Sequence, residues 1–413
     1  MRDKVFVLGA GRGQIPIIEI CKKNNFETIV VSKEGDYPGF QIADRCYYID
    51  VKDKAKVLEA AQKEKISAIL SDQLDACVQT IAYVAEKMDL PGIGYEASLK
   101  FTNKYIMKQE AQKLGVEVPK YNIVFNLEEA CSKSDEMGYP VVIKPPDQEG
   151  SRGVIKINNR IELEKNFEDS FKLSQSGYIE IEKYIQGTEY IALGFAQNYQ
   201  YTNLAISQYL PFKSEHYFVP KMKTTKAAQS VTDEVELRIL NKTKKLVQGF
   251  GMKFGIAQAE FLYDKTEDKI YLVEIAARGG GMFTSSDVIP LTCGINIIEL
   301  LVDFATNKTQ SFDFSKLSSK VAGYICFSLP EGRITEIGNV DKLMEIPGVY
   351  KVYLDTIHVG KEIGKMVDKS MRIGPILFYG NTEDECNNTI EKVKETLKIS
   401  VCTLNEGVKG IIW

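Results

Sequence analysis

The sequence predicts a multidomain protein that mixes α/β and α+β units: an N-terminal parallel α/β domain, a central region built around a hairpin, and a C-terminal α+β subdomain. Three observations carry this expectation. Strand-like and helix-like segments alternate over about the first hundred residues; a small module of strands and helices with long alternating strands follows; and the last hundred residues hold strands and a helix of their own. With 413 residues, 44% of them hydrophobic, the chain has material for roughly two to four compact units.

Residues 4–9 read as a buried strand, followed by the turn Gly9-Ala10-Gly11-Arg12-Gly13 and a helix with apolar residues at Ile15, Ile18 and Ile20. Strands at 28–31 and 68–71 alternate with helices, which is the order of a parallel sheet with crossovers. The glycines invite a dinucleotide reading, but Gln14 stands where the third glycine of G-x-G-x-x-G belongs. The alternatives are a tight strand-to-helix turn and a contact to a nucleotide or substrate.

Pro91-Gly92-Ile93-Gly94 ends this unit, giving a first domain over 1–100. A helix over 103–114 opens the second, and residues 120–185 form a module of short strands and helices. Alternating strands over 189–210, a helix over 233–249 and the strand pair 256–263 and 269–275 complete a central domain over 101–310. The segment 311–413 brings strands at 322–328, 349–354 and 373–379 and a helix over 383–397.

The balance of 52 basic against 56 acidic residues creates no broad field for nucleic acid or a membrane, so any phosphate binding must be local. Eight cysteines without a CxxC pair and only two histidines, His216 and His358, argue against a zinc or disulfide framework. The opening residues lack the apolar core of a signal peptide, and no run of about 18 apolar residues follows, so the expected compartment is a reducing cytoplasm.

The hairpin carries the chemistry. Glu260 and Glu274 lie on its two strands and would face each other if the turn over 264–268 sets that register. Opposed carboxylates repel unless a divalent cation lies between them, although a solvated sheet face tolerates them as well. Arg278 and the glycines 279–281 add a cation and a backbone open to close approach by an anion.

With these motifs the chain resembles the ATP-grasp superfamily of carboxylate ligases over nearly its whole length. The resemblance implies an N-terminal domain preceding a two-lobed ATP-grasp fold whose lid spans about 120–185. Lys104, at a helix start, takes the place of a phosphate-binding lysine. Lys144, at the end of Tyr139-Pro-Val-Val-Ile-Lys144, takes the place of the lysine that reaches the α-phosphate, with Gly150, Ser151 and Gly153 in the mobile loop that closes over the phosphates. The stretch Glu182-Lys183-Tyr184-Ile185 resembles the adenine hinge, and Glu189 the acceptor of the ribose hydroxyls. Glu260 and Glu274 would hold Mg²⁺, with Mn²⁺ as the alternative ion, while Arg278 would steady the transferring phosphoryl oxygens and Gly280 would line the substrate site.

One departure bears on the metal. Many members read E-x-N-P-R, whereas this chain reads Glu274-Ile275-Ala276-Ala277-Arg278, and Ala276 cannot ligate an ion. The Ala-Ala-Arg form resembles the branch containing the L-amino acid ligases and favours amide formation over bicarbonate chemistry. His216, in the loop between hinge and hairpin, is either a substrate contact or an exposed loop histidine; Lys221 and Lys223 read as charges that keep that loop solvated, with reach to the γ-phosphate as the other reading.

The resemblance implies an ATP- and Mg²⁺-dependent ligase that joins a small-molecule carboxylate and an amine through an acyl phosphate and works as a homodimer. The alternatives are a bicarbonate-using carboxylase or carbamoyl-phosphate-type enzyme, a non-catalytic ATP-binding module, and an NAD-dependent oxidoreductase built on Gly9–Gly13.

Overall fold

Four strands of the first domain, Lys4–Leu8, Glu27–Ser32, Arg45–Tyr48 and Ala68–Leu70, pair in parallel in the spatial order third, second, first, fourth. The computed structural model describes residues 2–148, 150–214, 217–366, 368–403 and 407–413. The two central strands carry the apolar runs Val5–Leu8 and Ile29–Val31 because both faces are covered there. Phe6, Leu8, Ile29 and Val31 pack on the helices Lys54–Glu64 and Val78–Lys87, whereas Val5, Val7 and Val30 pack on Ile15–Lys23 and Ile297–Ala305. In Ile15–Lys23 the residues turned inward are Ile17, Ile18 and Cys21, with Ile15 and Ile20 half-buried, so the buried stripe is rotated from the one the spacing predicts.

The glycine-rich turn is a tight strand-to-helix connection. Gly9 has φ +92°, and a Cβ there would lie 2.9 Å from Leu74. Gln14 closes the turn: its Oε1 accepts from the Gly11 N–H at 3.0 Å and its Nε2 donates to the Asp72 carbonyl at 2.6 Å.

In the module that follows, the antiparallel sheet runs Tyr121–Val124, Ile179–Lys183, Val141–Lys144, Ile155–Ile157, with the helices Leu127–Met137 and Arg160–Phe171 packed on it. Beside it stands a sheet of eight antiparallel strands: Lys269–Ala276, Gly255–Asp264, Thr188–Gln197, Gln200–Pro211, Pro220–Ala227, Val321–Phe327, Ile373–Gly380 and Val349–Val352. Its last three strands belong to the segment expected to stand apart from residue 311 onward. The Met222–Lys226 stretch pairs with Val321–Ile325, so the sheet runs unbroken across that boundary.

No single helix among the described residues is long and apolar enough to cross a membrane. The most apolar helices, Ile289–Cys293 and Ile297–Ala305, are buried between the N-terminal sheet and the large one, which accounts for their composition.

Candidate active site

The hairpin strands Gly255–Asp264 and Lys269–Ala276 place Glu260 directly opposite Glu274, with a bulge between Glu260 and Phe261. On the neighbouring strand Ile191 is the partner of Glu260 and Glu189 lies two residues away on the same face, so three carboxylates share one wall of a cleft. Cations answer them. Burial works against the Glu274 charge, but Lys104, Arg278, Lys144 and Lys369 outweigh it and hold the carboxyl below its usual range. Glu189 goes the other way: burial lifts it to about 7, with Lys369 and Lys223 pulling it down and Glu260 pushing it up.

Lys223 corrects an expectation. It does not solvate a loop: it lies on the strand Pro220–Ala227, is 1% exposed, and donates to Thr284 Oγ1 at 3.3 Å. Burial brings its pKa down to about 8, with Arg278 adding to the effect and Glu260 and Glu189 opposing it.

Across the cleft, Lys144 ends its strand opposite Glu180, with Nζ 2.5 Å from Glu182 and 3.6 Å from Glu180. Lys108, one turn after Lys104 on the helix Lys104–Lys113, reaches the same two carboxylates, and its ammonium lies 4.4 Å from the Tyr121 ring centroid. Two lysines and two glutamates are therefore buried together. Burial opposes the Glu182 charge, yet Lys144 and Lys108 hold its carboxyl at about 2. Burial also opposes the Lys144 charge, and Glu182 and Glu180 overcome it, so Lys144 stays cationic.

Lys183 points elsewhere. Its Nζ donates to the carbonyls of Gly138 and Tyr139, at 2.8 and 3.4 Å, and its backbone N–H donates to the Lys120 carbonyl at 2.8 Å. Tyr184 stacks on Phe218, and the half-buried Ile185 follows. In the loop after Lys144, Gly150, Ser151 and Gly153 all have positive φ, of 68°, 63° and 73°. A side chain at Ser151 holds that conformation only under restraint from its surroundings. The Gly150 carbonyl accepts from the Lys369 N–H at 3.3 Å, so the C-terminal segment touches this loop. His216 lies outside the described residues.

The N-terminal domain supplies the anchor for Arg278. Its Nη2 donates to Asp75 Oδ2 at 2.6 Å and Nη1 to the Gly279 carbonyl at 3.0 Å, while Nε is buried without a partner among the described residues. Gly279 N–H donates to Asp72 Oδ1 at 3.0 Å. Burial lifts the Asp72 carboxyl to about 6, against the hydrogen bonds from Gln73 and Gly279. A Cβ on Gly279 would collide with Ser285 Oγ and Asp72, and one on Gly280 with Gln258 Oε1; this crowding is what demands glycine there.

Among the described residues no group of three or more His, Cys, Asp or Glu could hold a metal ion. Glu260 and Glu274 nevertheless fit Mg²⁺ bound together with a nucleotide, which uses one or two carboxylates and takes its remaining oxygens from phosphate and water. Two buried oxygens nearby, Gln258 Oε1 and Ser285 Oγ, have no hydrogen-bond partner among the described residues. Lys108, Glu180, Asp72, Asp75 and Lys369 were not anticipated as parts of the site. Lys108 had a signal, its position four residues after Lys104 on one helix face; so had the aspartates, which follow the C-terminal end of a parallel strand, where open α/β sheets bind ligands.

Residues 137–287 match the ATP-grasp domain, and residues 325–401 match the L-amino acid ligase C-terminal domain 2. The carbamoyl phosphate synthase large chain of Archaeoglobus fulgidus is 22% identical over 377 residues, 87% of this chain and 34% of the relative, so the chain spans about a third of that relative's length. The L-amino acid ligase from Bacillus licheniformis superposes with a TM-score of 0.82 at 20% identity, over 96% of this chain and 98% of that one. The biotin carboxylase domain of Hydrogenobacter thermophilus 2-oxoglutarate carboxylase, in complex with MgADP, ADP and bicarbonate, gives 0.71 at 19% identity, over 99% and 92%. At these identities the likeness establishes the fold.

Proposed function

We propose that this chain, which carries an ATP-grasp domain followed by an L-amino acid ligase C-terminal domain, is an ATP- and Mg²⁺-dependent ligase that joins a small carboxylic acid to an amine. The observation that carries the reading is the facing pair Glu260 and Glu274, surrounded by Lys104, Lys144, Arg278 and Lys369. That set of charges suits a triphosphate with its divalent ion and suits little else.

Mg²⁺, held by Glu260 and Glu274, would neutralise phosphate charge. A substrate carboxylate oxygen attacks the γ-phosphorus and ADP leaves; the amine nitrogen then attacks the acyl carbon, phosphate leaves with the bonding electrons, and the amine gives up a proton. Lys144 and Lys104 bind phosphate oxygens, Arg278 stabilises the oxygens of the transferring group, and Glu189 accepts from the ribose hydroxyls. The loop containing Gly150 and Gly153 folds over the phosphates and keeps water from the acyl phosphate.

Three points belong to the same reading: the acid and amine are small molecules, the assembly is a homodimer, and the compartment is the reducing cytoplasm, which suits eight cysteines that are all free thiols. ADP release measured across a panel of acids and amines, with bicarbonate alone as the rival substrate, tests the assignment. Glu274→Ala should abolish amine-dependent ADP release while leaving the melting transition in place. Full activity in that variant, or turnover with bicarbonate and no organic acid, would refute it.

A further inference from the structure

Gln258 sits on the hairpin directly across from Ala276 and is 4% exposed. It shares a strand face with Glu260, two residues on, and its Nε2 donates to Glu260 Oε1 at 3.1 Å. Because a carboxylate only accepts, this contact fixes which end of the amide is nitrogen. The other end, Oε1, is buried against Gly280 and has no hydrogen-bond partner among the described residues.

A buried acceptor without a donor is costly, and an apolar side chain of similar size would remove the cost. Its place gives it a use. Ala276 offers no oxygen beside Glu274, and two carboxylates alone are a sparse set for two divalent ions. The Gln258 amide lies across the strand from Ala276, on the sheet face that carries Glu260 and Glu274.

Resting on the nucleotide-site reading above, we propose that Gln258 Oε1 is a metal ligand, the neutral oxygen that completes a second divalent-cation position alongside Glu260 and Glu274. The ligand lost at Ala276 is thereby supplied from the facing strand. The same amide holds Glu260 through Nε2, so one side chain both ligates the ion and orients a carboxylate that shares it.

Mn²⁺ serves as the probe, counted by equilibrium dialysis with electron paramagnetic resonance of the free ion at saturating ADP. The wild-type protein should hold two ions. Q258A should bind ADP but take up the second ion at least about tenfold more weakly, and Q258E, with an oxygen at the same place, should hold both. Should Q258A fail to fold, the Q258E stoichiometry decides: two ions support the assignment and one overturns it. A wild-type protein that binds ADP with a single ion, or Q258A holding both at wild-type affinity, also overturns it. A wild-type protein that binds no ADP would instead remove the nucleotide reading on which the assignment rests.

Discussion

Replacing Lys108 with Met should destabilise the protein far more than an ordinary lysine substitution. Lys108 is 1% exposed, and the carboxylates it serves, Glu180 and Glu182, are 3% and 7% exposed. Two lysines balance two glutamates in this buried cluster. Without Lys108, both carboxylates rely on Lys144 alone, and one negative charge is buried uncompensated. Breaking a buried pair in this way costs about 3–5 kcal/mol. Methionine keeps the unbranched shape, so little of the loss is cavity formation. Adding Glu180→Gln removes the surplus charge, and the double variant should recover at least about 1.5 kcal/mol relative to the sum of the singles. Thermal and urea unfolding followed by circular dichroism measure all three variants. A cost below about 1 kcal/mol for K108M, or strict additivity of the two substitutions, would refute the claim that the four charges act as one unit. The functional consequence follows from geometry: Lys144 would be held more tightly by its carboxylates, so K108M should also weaken MgADP binding.

Glu189 predicts a pH dependence. Folded, its carboxyl keeps its proton up to about 7, against 4.5 for the free group, so ionising it costs the ligand-free protein stability as pH rises through that interval. Glu189→Gln, which cannot ionise, should therefore gain stability over the wild type on going from about pH 5 to about pH 8, and nucleotide affinity should rise through pH 7 in the wild type but stay flat in the variant. Melting curves and calorimetric titrations across pH check both, and parallel profiles in the two proteins would count against the assignment. Asp75→Asn should leave the KM for ATP within a few-fold while lowering kcat about tenfold or more, the worth of one charged hydrogen bond, because Arg278 loses its anchor rather than its charge. Steady-state kinetics that show a KM effect alone would rule that role out.

The parts of the site that could be read from the chain were those fixed by local pattern. The hairpin itself is legible as a short turn between two alternating strands, although that turn's register alone would set Glu260 against Val273 and the bulge after Glu260 is what brings it opposite Glu274; Lys144 stands out as a charge at the end of an apolar run. What escaped depends on separations of many residues. Asp75 meets Arg278 only because the first domain docks on the loop after the hairpin, and Lys369 reaches the cleft only because the last strands join the large sheet. Lys223 misled for a different reason. Its surroundings in sequence are polar, but the strand carrying it is an inner one, covered by its neighbours on either side. Nothing in a window around Lys223 reports that burial.

Burial of so many charges needs a reason, since each ion leaves water at a cost that pairing only partly offsets. In the cluster of Lys108, Lys144, Glu180 and Glu182 the charges balance, two against two. The opposite wall is different. Lys104, Lys223, Arg278 and Lys369 stand near Glu189, Glu260 and Glu274, yet among the described residues Arg278 is the one of the four with a carboxylate held at hydrogen-bond distance, and that carboxylate belongs to Asp75 in another domain. Cations gathered around carboxylates without closing onto them leave both free for a third party that carries anionic oxygens and a divalent ion together. Pairing on one side of the cleft fixes where Lys144 sits, and withheld pairing on the other keeps room for the phosphates. A chain whose net charge is only -4 thus reaches a strong local field by placement rather than by composition.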